Sequence, residues 1–79
     1  MATKVIVNGQ VVGEVYKSGL DWGYFMYESD LAYDGIDSKK EAIEYCSLDA
    51  ARWAQEQVEK YKKYILKDYQ TALKILGEA

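Results

Sequence analysis

Carboxylates at a calcium-binding spacing are the most pointed chemical pattern in this sequence. Asp30, Asp34 and Glu41 fall on the first, fifth and twelfth positions of an EF-hand loop, and Gly35 on the sixth, where the chain must turn sharply. The match is incomplete. Ala32 supplies no oxygen at the third position, and Asp37 stands at the eighth, where an apolar residue should anchor the loop. The segment ahead of the loop also reads as strand rather than helix. The pattern therefore predicts a solvated acidic loop over residues 29–38, rich in polar and Gly breakers such as Asp34 and Gly35 and with room for a short extended piece at Leu31–Tyr33, that runs into a capped helix, with no metal and no cofactor.

Catalytic groups are scarce. With no His in the chain, a nucleophile would need activation by Lys or a carboxylate. Cys46 shares a helix side with Ala42 and Ile43, where a thiol is inert packing. Asp30, Asp34 and Asp37 lie close enough in sequence for acid–base work, but nothing marks a pocket around them, and so short a chain rarely encloses one. The residues point away from an enzyme.

Those carboxylates suit binding better than catalysis. Asp21, Glu28, Asp30, Asp34 and Asp37 occur with no intervening Lys or Arg and are interleaved with Trp22, Tyr24, Tyr27 and Tyr33. Tyr and Trp supply contact area while carboxylates steer a basic partner toward it. Asp21, Glu28, Asp30, Tyr33, Asp34 and Asp37 are therefore the expected partner-binding patch, and a nucleic-acid-binding protein has the right charge to be the partner. Small acidic Tyr-rich domains of this kind are similar in general character to phage or mobile-element inhibitors such as anti-CRISPR proteins and DNA mimics. What that likeness implies is an inhibitor that works by occupying a partner's surface.

The alternative is a small nucleic-acid-binding regulator that uses Lys60, Lys62, Lys63 and Lys67 with Tyr61 and Tyr64. Against it, Lys60, Lys63 and Lys67 recur at helical spacing, as the solvated face of an amphipathic helix does. The charge is also uneven: residues 1–50 hold nine acids against four Lys, and residues 51–79 six bases against four acids. Phosphate binding needs clustered bases, and the segments that read as sheet offer only Lys4 and Lys17.

The elements that must position these residues are legible from periodicity. Residues 3–16 hold two β-branched runs around Asn8-Gly9, a pair that tolerates the positive φ angles of a type I′ hairpin turn. With that turn Val7 faces Gln10, Ile6 faces Val11 and Val5 faces Val12, which puts Ile6, Val11 and Val15 on one face and Val5, Val7, Val12 and Tyr16 on the other. Residues 22–28 read as a third strand, with Trp22, Tyr24 and Met26 on one face and Phe25 and Tyr27 on the other. Ser38 and Glu41 form a capping box that starts a helix at Lys39. Ser47-Leu48-Asp49 suits either a new cap or a continuous rod. Ala54, Val58, Tyr61, Ile65, Tyr69, Leu73 and Leu76 then recur at spacings of three and four, as one long amphipathic helix does.

The expected fold is a single α+β domain over residues 1–79: a three-stranded antiparallel meander in residues 1–28, the acidic loop, and a helical segment over 39–76 comprising a short helix and a long C-terminal one. Apolar residues make up 49% of the chain, enough to fold, but 79 residues bury only a thin core. A lone Cys excludes an internal disulfide and suits a reducing, cytoplasmic setting. No apolar run approaches the ~20 residues a membrane span needs. A helix over 49–76 would be on the order of 40 Å long, whereas strands cover ~17–20 Å. Ile65, Tyr69, Leu73 and Leu76 should then outrun the sheet and form a homodimer interface, unless the helix bends near Lys62-Lys63 and folds back or the stripe receives a foreign partner.

Overall fold

The computed structural model describes residues 2–61 and 66–78. Strands β1 (Thr3–Val7), β2 (Gln10–Ser18), β3 (Asp21–Met26) and β4 (Ala32–Ile36) form one antiparallel sheet in the order β1-β2-β3-β4, and helices α1 (Lys39–Tyr61) and α2 (Leu66–Leu76) pack against one of its faces. The α+β class and the meander hold. The number of strands and the division of the helices do not.

The first hairpin turns where Asn8-Gly9 directs it, with φ of 51° and 80° at the two residues. Val7 faces Gln10 and Ile6 faces Val11, but Val5 faces Gly13 rather than Val12, because Val12 is the extra residue of a β-bulge. One inserted residue reverses the phase of everything after it. Val15 therefore joins Val5 and Val12 in the core, while Ile6 stays 61% exposed on the opposite face. The sequence had grouped Val15 with Ile6.

β3 presents its faces as its alternation requires: Tyr24 and Met26 are buried and Trp22 packs beside them, while the rings of Phe25 and Tyr27 lie 5.9 Å apart on the other side. The expected acidic loop contains β4, paired with β3 through Tyr24–Tyr33 and Phe25–Ala32. Asp34 and Gly35, which read as breakers, form a second bulge. Gly35 takes a φ of 76° there, which a β-carbon would oppose, and pairing resumes at Trp22–Ile36.

The short helix and the long one are divided differently from the expectation. Ser38 caps α1 by accepting the Glu41 N–H at 3.1 Å, and the helix then runs unbroken through Ser47, whose hydroxyl donates back to the Ile43 carbonyl at 2.8 Å instead of capping a new helix. Ala42, Cys46, Ala50 and Ala54 recur every four residues and are all buried on the sheet. Past the sheet α2 folds back along α1, so that Ala72 and Ile75 enter the same core and Leu76 packs against it. The end of α2 is closed twice: Gly77 and Glu78 donate to the carbonyls of Lys74 and Leu73, and the Asn8 side-chain amide donates to the Ile75 carbonyl at 2.7 Å. The molecule is elongated, 44 × 19 × 16 Å, because the helical hairpin projects beyond the sheet.

Candidate interaction surface

Since both helices occupy one face, no described element covers the other face of the sheet, which is therefore the open one. Across it run Lys4, Glu14, Phe25 and Ala32, one from each strand, in register. Two tyrosines fix carboxylates on this surface. The Tyr16 hydroxyl donates to Asp34 at 2.9 Å, and the Tyr27 hydroxyl donates to Glu14 at 3.3 Å. Tyr16 reaches from β2 to β4 because the residue between them is Gly23, where a β-carbon would collide with Asp34 and the Tyr16 ring. The hydrogen bond to Asp34 raises the Tyr16 pKa above its usual range, and desolvation followed by the Glu14 charge raises that of Tyr27. Both phenols stay protonated donors at neutral pH.

Around the β4 edge, on the helix side, lies a groove of about 180 Å³. Met26, Ser29, Leu31 and Tyr33 form its sheet wall; Asp49, Arg52, Trp53 and Glu56 form its helix wall. Tyr33 stacks at a tilt on Tyr24, centroid to centroid 5.2 Å, and the Tyr24 hydroxyl donates to Asp49 beneath it. Leu31 and Tyr33 are nearly half exposed, and the Ser29 hydroxyl is buried with no hydrogen-bond partner.

The six residues expected to form one acidic patch are distributed over both ends of the β3–β4 hairpin. Trp22 pairs with Ile36, so Asp21 and Asp37 share one end of the β3–β4 hairpin, with Asp34 near them on the open face. Glu28 and Asp30 sit at the opposite end, beyond the six-residue length of β3, and Tyr33 faces the groove. Of the expected self-association stripe, Ile65 lies outside the described residues, Tyr69 and Leu73 are half-buried, and Leu76 touches the core. Of the Lys/Tyr cluster, Lys60 ends α1 exposed, while Lys62, Lys63 and Tyr64 lie outside the described residues.

The helix wall is not legible in the sequence alone. Asp49, Arg52, Trp53 and Glu56 are spaced three, four and seven apart, which places them on one side of a helix, but only the position of β4 makes that side a groove. The calcium spacing produces no loop, because strand β4 extends through its middle and Asp34 is bonded to Tyr16. Among the described residues no His, Cys, Asp or Glu cluster of three or more has metal-holding geometry, and no helix is long and apolar enough to cross a membrane. Cys46 is fully buried, and burial pushes its thiol up to about 11, so it is a thiol rather than a thiolate at neutral pH. Comparisons with family models, curated proteins and solved structures found no match.

Proposed function

We propose that this protein is a non-enzymatic interaction module that occupies the basic surface of a nucleic-acid-binding protein, as an inhibitor of the anti-CRISPR or DNA-mimic type does. The observation supporting it is the open sheet face, where Tyr16 and Tyr27 hold the carboxylates of Asp34 and Glu14 beside the half-buried ring of Phe25. Carboxylates fixed in advance lose less freedom on binding a Lys or Arg, and the aromatic rings supply the desolvated contact area between them. Asp21 and Asp37 at one end of the hairpin, and Glu28 and Asp30 at the other, extend the same sign of charge along the rim and steer encounter.

A pull-down from bacterial lysate, with protein and nucleic acid scored in parallel, tests this. The wild-type protein should recover a basic protein, and the triple variant Asp30→Lys, Asp34→Lys, Asp37→Lys should lose it. The variant should stay folded but lose about 1 kcal/mol for the Tyr16–Asp34 bond and about as much for the φ of 56° at residue 30, so its fold is checked by circular dichroism alongside. Recovery of nucleic acid alone, undiminished by the reversal, would replace this reading with direct nucleic-acid binding.

A further inference from the structure

We infer that β4 is an acceptor edge: an extended, basic segment of the partner adds to it as a fifth strand and lowers a cationic side chain into the groove between Tyr33, Trp53, Asp49 and Glu56. This rests on the interaction reading above and specifies the segment it takes.

The backbone supports the strand addition. Met26 donates its N–H to the Leu31 carbonyl at 2.8 Å, and Tyr24 pairs with Tyr33. By the alternation of an antiparallel ladder, Leu31 and Tyr33 direct their polar groups at β3, and Ala32 turns its N–H and C=O to the outer edge. Proteins blunt such edges with Lys, Pro, bulges or a covering element. Here the bulge comes after Tyr33, at Asp34-Gly35, and residues 31–33 are exposed and contain neither Lys nor Pro.

Charge selects the occupant. Asp49 and Glu56 line the groove against the single cation Arg52 among its lining residues, Asp30 precedes the lining residue Leu31 in the chain, and two aromatic rings flank the groove. Carboxylates beside aromatic faces favour a desolvating Arg or Lys. A second copy of this chain is the wrong partner for this edge. Antiparallel self-pairing centred on Ala32 would set Asp30 opposite the Asp34 of the other copy, twice over, and like charges directly opposed destabilise a ladder. A strand whose groove-side residues are Arg or Lys meets Asp49 and Glu56 with the opposite sign. Leu31 and Tyr33, 48% and 46% exposed, lie on the groove side and cover the aliphatic stem of that cation, while the alternate apolar residues fall beside Ala32 on the open face.

The probe is a synthetic peptide alternating Arg with Val, compared with one alternating Glu with Val, added to the full chain at low and at moderate salt. The Arg peptide should bind and slow hydrogen exchange at the Ala32 amide, while the Glu peptide should not bind. Asp30→Asn, which removes the charge while tolerating the φ of 56° there, plus Glu56→Lys, both at exposed positions, should weaken the Arg peptide by roughly tenfold or more. Binding of the Arg peptide with perturbations confined to Phe25, Tyr16 and Asp34, and Ala32 exchange unchanged, would overturn the strand addition while leaving the open-face reading intact. Equal binding of the two peptides, or none of either, would also overturn it. Loss of lysate partner in Glu14→Lys plus Asp34→Lys, which leaves Asp30 and Glu56 in place, or its persistence, decides the broader reading separately.

Discussion

The tyrosines of this protein are hydrogen-bond donors before they are contact area, and which carboxylate each one meets decides its role. Tyr16 and Tyr27 hold Asp34 and Glu14 on the open face, whereas Tyr24 reaches through the core to Asp49 on α1. Burial first and the Asp49 hydrogen bond second raise the Tyr24 pKa far above its ordinary 10.0, and burial raises Cys46 from 9.0 to about 11. In each case the native state holds a proton that the unfolded chain gives up at lower pH. Stability is therefore full below pH 9, and it falls as pH rises through 9–11 for Cys46 and from 10 upward for Tyr24. Urea titrations at unit steps from pH 8 to 11 should show the midpoint level at first and then descending, with a shallower descent above pH 10 in Tyr24→Phe. A flat midpoint through pH 11 would place both groups in water. The spacing of the chain gave no sign of the Tyr24–Asp49 contact, which joins residues 25 apart, whereas the Ser38 cap was readable because it joins residues three apart.

At the scale of elements, local rules were reliable and pairing rules were not. Asn8-Gly9 turned where predicted, and the alternation of β3 was correct to the residue. The Val12 bulge was invisible, since a β-branched run carries no mark of where one residue will be looped out, and it moved Val15 from the expected face to the core. β4 was legible only as a short extended piece at Leu31–Tyr33, because Asp34 and Gly35 are poor strand formers in isolation, yet the edge of an existing sheet supplies the hydrogen bonds and a bulge absorbs them. Asn8 belongs to two elements at once, turning the β1–β2 hairpin and capping α2 through the Ile75 carbonyl. Asn8→Gly keeps the turn and loses the cap, which should cost about 1 kcal/mol for one hydrogen bond. Asn8→Ala also strains a φ of 51° and should cost roughly 2–3 kcal/mol. Chemical denaturation of both variants checks the order. Equal stability of Asn8→Gly and wild type would mean the cap contributes nothing.

At the scale of the whole molecule, an 11-residue α2 beginning at Leu66 replaces the far half of the expected rod. The sequence has no Gly or Pro between Asp49 and Gly77, and an unbroken apolar stripe cannot by itself say whether a helix continues or reverses onto its own earlier turns. Reversal changes the expectation for assembly. The case for a dimer was that Ile65, Tyr69, Leu73 and Leu76 would be left wet, each such side chain forgoing roughly 1.5–3 kcal/mol of burial. With α2 against α1, Ala72 and Ile75 are buried, Leu76 touches the core and Tyr69 and Leu73 are already half covered. Self-association through this stripe is thus a weaker proposal than the linear sequence made it, and the protein is expected to sediment as a 9.0 kDa monomer at tens of micromolar. Leu73→Asp separates the cases. In a monomer it should lower stability without changing mass, because the half-covered side chain serves only the intramolecular helix pair. In a dimer it should halve the mass, and that outcome would return the stripe to the role of a two-fold interface.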